Sequence, residues 1–152
     1  MSLTPLTPGP ELEAGSRLHQ RYVKLQALLA ELDKRGLPEA LALAIDQEIM
    51  SLNAAAANGK AYKRRLAKTH DQVLKMIREK LGWVPKNYYR NLWMALGLAV
   101  FGIPLGMSLG ISLGSMAFLG IGFPMGIAIG IAIGTNLDQK AAEEGKQLDS
   151  AV

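Results

Sequence analysis

Few residues in this chain are of a type that does covalent chemistry. There is no cysteine, so disulfides and thiolate metal sites are excluded. The two histidines, His19 and His70, stand far apart, and neither belongs to a metal-ligand pattern. His70, in KTHDQ, reads as decoration of a solvated helix face. The acids are scattered singly along helical stretches, with Glu143 and Glu144 adjacent in a polar tail. Glycines are abundant, but no GK[ST] follows them and no strand precedes them, so they are not phosphate loops. No catalytic, metal or cofactor site assembles, and the reading is of a protein that is not an enzyme.

What remains is hydroxyl and cationic chemistry. Ser108 and Ser112 share one helical face, roughly opposite Gly106 and Gly110, and in an oligomer they are candidates to line a pore. No ionisable residue accompanies them, so proton relay and charge-selective conduction lack their usual carriers. Residues 56–90 hold ten Lys or Arg against Asp71 and Glu79, a local charge of +8. Within and beside this run, Lys63, Arg64, Arg65, Lys86 and Arg90, with Trp83 and Trp93, are candidate contacts to anionic lipid headgroups. Each basic residue near such a surface contributes about 1 kcal/mol. Clustered cations also attract nucleic acid. The apolar stretch that follows makes the membrane surface the nearer partner.

That stretch is the dominant feature of the chain. Of the 30 charged side chains, 24 lie in residues 1–90 and none in residues 91–137. From Leu92 to Gly134 there are 43 residues without a charge. A bilayer core takes about 20 helical residues to cross, so two spans are expected, at 92–113 and 117–136, with a turn at Gly114–Ala117. Strand-like GIAIGIAIG is no obstacle, because in hydrocarbon a helix satisfies every backbone group within its own segment.

Glycines at 102, 106, 110 and 114, and again at 122, 126, 130 and 134, recur every fourth residue. Each set gives its helix a groove without side chains, which lets two backbones approach closely. The two ladders could close on each other within one hairpin, but two complete ladders exceed what one such contact needs, so at least one is read as pairing between chains. Pro104 falls within the first span and is expected to kink it. Pro124 lies nearer the start of the second, where proline costs less.

Flanking signals orient this hairpin. The basic run places residues before the first span in the cytoplasm, and two spans return residues 137–152 to the same side as a polar tail. Residues 83–93, WVPKNYYRNLW, read as an interfacial aromatic segment. Upstream, three helices are expected near 11–35, 38–53 and 60–81, with the first two forming a helical hairpin. Prolines at 5, 8 and 10 mark residues 1–10 as a disordered lead-in. The N-terminus has no basic n-region and no apolar core, so it does not read as a secretory signal.

YRNLWMALG, FGIPLGMSLG, MAFLGIGFPMGIAIGIAIGT and LDQKAAEEGKQLD together resemble small bacterial glycine-zipper membrane proteins with two glycine-rich spans. The resemblance covers roughly residues 88–149. It implies topology and a bacterial inner membrane rather than an activity, and it carries over no functional residue. The expectation is therefore an all-α membrane protein: a two-helix transmembrane hairpin with an N-terminal helical cytoplasmic region at 11–82. It would associate with itself or with another membrane protein in a structural or regulatory role. The rival expectation is a small oligomeric pore or membrane-perturbing effector.

Overall fold

The computed structural model describes residues 3–9, 13, 15–115, 117 and 119–149. The chain is all-α, 79% helical with almost no strand. It divides into two compact units, residues 1–85 with 148–152, and residues 86–147.

The first unit is built on three helices: α1 (Arg17–Arg35), α2 (Glu39–Ala54) and α3 (Gly59–Leu81). Helix α1 starts at Arg17 rather than near residue 11, because the Ser16 hydroxyl accepts the His19 N–H at 3.1 Å and caps its first turn. Asn58 caps α3 in the same way, accepting the Ala61 N–H at 3.2 Å. Gly82 ends α3 in the left-handed conformation, φ 70°, with its N–H donated to the Arg78 carbonyl at 3.0 Å.

The apolar stripes of all three helices meet in one core. Leu25, Leu28 and Leu32 of α1, Ile45, Ile49 and Leu52 of α2, and Tyr62, Leu66, Val73 and Ile77 of α3 are fully buried. Each such aliphatic side chain stabilises the fold by about 1.5–3 kcal/mol relative to exposure. The core takes in both of the first two helices and also α3, whose own apolar face must be covered.

Residues 3–9, expected as part of a disordered lead-in, are held against these helices. The Thr4 N–H is donated to Asp46 Oδ1 at 2.8 Å, and the Thr7 N–H to Asn53 Oδ1 at 2.8 Å. Proline removes donors from this segment but leaves its carbonyls free, and side chains from the helices use them. Met1, Ser2 and Pro10 of that lead-in lie outside the described residues, as do Glu11, Leu12 and Ala14 of the expected first helix.

The second unit holds α4 (Tyr88–Gly97), a π-helical turn (Leu98–Gly102) and α5 (Ile103–Ser112), which run as one helix of 25 residues, and α6 (Leu119–Glu143), also 25 residues. At 1.5 Å per residue each spans about 37 Å, and both are long and apolar enough to cross a membrane. They exceed the expected 92–113 and 117–136. Within the expected turn Met116 lies outside the described residues, as does Phe118 in the expected second span. Residues 137–152 are not wholly a tail, for α6 continues to Glu143. Leu148, which belongs to the first unit, is fully buried in its core. Residues 150–152 lie outside the described residues.

Candidate functional site

The two long helices meet along their glycines. A methyl group added at Gly126 would stand 2.5 Å from Gly102 Cα, and one at Gly122 would stand 2.6 Å from Gly106 Cα. One at Gly134 would stand 2.5 Å from Arg90 Cα, and one at Gly130 would run into the Trp93 carbonyl. Contacts descend along one helix as they ascend the other, so the helices are antiparallel. None of these four sites tolerates a Cβ without moving backbone. Gly110 is buried as well. Close backbone approach of this kind gains dispersion contact and brings Cα–H groups towards carbonyls.

One member of this face is absent from the four-residue pattern. A methyl on Gly97 would lie 2.8 Å from Gly130 Cα, so Gly97 belongs to the contact although five residues separate it from Gly102. The π-helical turn between them makes this work. The Ile103 N–H reaches back five residues to the Leu98 carbonyl, which widens the turn and returns Gly97 to the face of Gly102. Pro104 gives the local cause. It has no N–H to donate to Val100, and its ring crowds that carbonyl in a regular α-helix. The expected kink at Pro104 is thus recorded as a wider turn just before it.

Gly114 departs from its expected role. It is exposed, with φ 67° and nothing within 4 Å of an added Cβ, so it terminates the helix instead of packing in the ladder. The ladder of the first helix is Gly97, Gly102, Gly106 and Gly110. Of these, Gly97, Gly102 and Gly106 meet Gly130, Gly126 and Gly122 of the same chain.

Large apolar side chains take the opposite side. Val100, Leu105, Met107 and Ile111 on the first helix, and Ile121, Phe123 and Met125 on the second, are all exposed. Ser108 and Ser112 are exposed with them, away from the glycine face.

At the far end of the pair, Asp138 of α6 is 7% exposed. Its carboxylate accepts the backbone N–H of Tyr89 at 3.0 Å and of Arg90 at 2.9 Å. Asn87, which precedes α4 in the left-handed conformation, makes no side-chain cap, so Asp138 supplies from another helix what the local sequence does not. A negative group at this end also complements the helix dipole. The signal was visible in principle, as the first acid after a long charge-free run.

In the first unit the basic residues separate into two kinds. Lys63 and Arg64 on α3 are exposed. Arg65 instead turns towards α2, where it donates to the Ser51 hydroxyl and stands 3.6 Å from Glu48. Trp83 also departs from the interfacial role. It packs against the three-helix core, with the Arg35 guanidinium 5.3 Å from its ring centroid. In the second unit Lys86 and Arg90 are exposed and Trp93 is half-buried beside Gly130.

Among the described residues, Tyr62 is a core group whose titration is strongly displaced. Burial is the main cause, the neighbouring Tyr22 adds to it, and together they push its phenol up to about 12. The hydroxyl therefore stays a donor across the physiological range, and it donates to the Thr7 carbonyl at 2.9 Å. His70 is half-buried, with Nδ1 3.7 Å from Asp71. Among the described residues no group of three His, Cys, Asp or Glu side chains is placed to hold a metal.

Comparison with protein-family models, with curated proteins and with solved structures finds no match.

Proposed function

We propose that this chain is a non-enzymatic integral membrane protein whose two long helices form a transmembrane hairpin. The observation that carries the reading is the inversion of the second unit, with glycine backbone inside and large apolar side chains outside. In water that surface would be a large exposed apolar patch. In hydrocarbon it is the ordinary lipid-facing surface of a helix pair. The hairpin holds the three-helix unit at a bacterial inner membrane with both termini cytoplasmic, in keeping with the basic run that precedes it. Lys63, Arg64, Lys86 and Arg90 engage anionic headgroups.

The role we assign is structural or regulatory. The exposed outer faces associate with a second copy or with another membrane protein. Carbonate extraction of native membranes tests the first claim: the chain stays in the pellet, and recovery in the wash sinks the reading. Because the chain lacks cysteine, single substitutions Ala40→Cys and Glu144→Cys test the topology. An impermeant thiol reagent applied to the periplasmic side labels neither, whereas labelling of one alone excludes a hairpin.

The outward placement of Ser108 and Ser112 favours a second reading, a small pore formed between copies. Dye-loaded liposomes separate the two. Tight vesicles at high protein load rule out the pore, and release abolished by S108A/S112A establishes it.

A further inference from the structure

The N-terminal segment repeats a phrase, Leu3-Thr4-Pro5 then Leu6-Thr7-Pro8, and closes on Gly9. A period of three is that of the polyproline II helix, in which every third side chain shares a face. Burial keeps part of that period, with Thr4 half-buried beside Leu3. Leu3 and Leu6 pack against the three-helix core and Gly9 is buried, whereas Pro5, Thr7 and Pro8 are exposed.

Side chains from the helices contact the backbone of this segment. The Asn53 amide donates to the Pro5 carbonyl at 3.0 Å, Tyr22 Oη donates to Leu6 at 3.2 Å, and Tyr62 Oη donates to Thr7 at 2.9 Å. Three successive carbonyls are thus engaged from three different positions. The two threonine N–H groups, which the intervening prolines cannot supply, go to Asp46 and to Asn53 Oδ1. Gly9 then lies flat on the Tyr62 ring, where an added Cβ would stand 2.5 Å from the ring carbon Cδ1.

Aromatic hydroxyls, an amide that pairs with both a carbonyl and an N–H, and apolar contacts for two leucines three residues apart are the parts of a polyproline II reader. None of these hydrogen bonds uses a side chain of the segment. The groove reads backbone conformation, leucine spacing and a terminal glycine, which any segment of that kind would satisfy.

We infer that this face of the three-helix unit is a recognition groove for an uncharged, extended partner segment of the form Leu-x-Pro-Leu-x-Pro-Gly, and that residues 3–9 occupy it in cis. The tethered segment competes at an effective concentration in the millimolar range, so a partner enters by displacing it. The groove thereby gives the proposed membrane-anchored role a recognition function, although it stands on the first unit alone and does not depend on membrane insertion.

The test uses the full chain in detergent and a fluorescent peptide, MSLTPLTPGP. The variant L3D/L6D, which releases the cis segment, binds the peptide saturably and at least tenfold more tightly than the unaltered chain does. Adding N53A to that variant, or scrambling the peptide, costs at least tenfold in affinity. No saturable binding by a folded L3D/L6D chain, or binding indifferent to N53A, overturns the proposal. If L3D/L6D does not fold, the unaltered chain gives a second measurement. Millimolar peptide accelerates amide exchange at Thr4 and Thr7, and unchanged exchange there overturns it. A variant that pairs with an intact copy yet ignores the peptide makes a second copy the occupant, which also overturns the assignment.

Discussion

Asp138 Oδ2 accepts the backbone N–H of Arg90 at 2.9 Å, joining residues 48 apart in sequence at one end of the antiparallel pair. The neighbouring oxygen takes Tyr89, so one carboxylate satisfies two of the orphan donors at the start of α4.

Asp138→Ala leaves both donors without that partner and lowers the thermal stability of the helix pair in detergent. The loss should be about 1–2 kcal/mol, the upper range for removal of a helix cap. Asp138→Asn keeps one acceptor oxygen and falls between the two. Helical circular dichroism against temperature measures it, and equal midpoints for all three chains would remove Asp138 from any capping role.

Gly126→Leu and Gly120→Leu make a matched pair. A Cβ at Gly126 collides with Gly102 backbone, whereas one at Gly120 meets nothing within 4 Å. The first variant separates the helices, at a cost at or above the roughly 1–3 kcal/mol usual for overpacking, and the second leaves them together. Spin-label distances between Met94 and Ile129, each changed to cysteine, report the result. The glycine contact is refuted if both variants keep the short distance.

Deletion of Ala99 and deletion of Leu105 differ in consequence for the same reason of register. Removing Ala99 turns the five-residue π spacing of Gly97 and Gly102 into an ordinary four-residue spacing, and the face is kept. Removing Leu105 rotates Gly106 off the face by about 100°. The first chain retains the resistance of the helix pair to denaturing detergent, and the second loses it. Equal loss from both deletions would show that the π turn has no part in register.

Alkali should unfold the first unit through Tyr62. Its folded pKa, raised by burial to about 12, lies above the ordinary tyrosine value of 10.0. The neutral phenol is favoured in the folded state, so this contribution is complete below pH 10 and is lost as pH rises from 10 towards 12. Tyr62→Phe removes that part of the slope, which denaturant titrations at stepped pH will resolve. A Phe variant with an unchanged slope would assign the alkaline loss to other groups.

Much of the architecture was legible as pattern. The stripes Leu18, Tyr22, Leu25, Leu29 and Leu32, then Ala42, Ile45, Ile49 and Leu52, then Tyr62, Leu66, Val73 and Ile77 follow from 3.6-residue periodicity, and all are buried but Tyr22, which is half-buried. Charge-free length located the two apolar helices. Less legible were features that depend on a partner distant in sequence. Arg65 counts as a surface cation until α2 brings Ser51 and Glu48 to it. Trp83 reads as interfacial until Arg35 and the core cover it. Leu3 and Leu6 look like part of a proline-rich lead-in because their period is three rather than 3.6.

The sequence by itself determined that the chain is helical and that its charges and its apolar residues are segregated. It also determined which helix faces lack side chains, since these follow from residue type and local spacing. Only the tertiary structure decided which glycines touch. Gly97 joins the ladder and Gly114 leaves it, because a π turn before Pro104 resets the register and the chain reverses after Ser112. Tertiary structure likewise decided that Asp138 caps a helix begun 50 residues earlier at Tyr88. An unpaired N–H records that it needs an acceptor, but not which distant carboxylate will arrive.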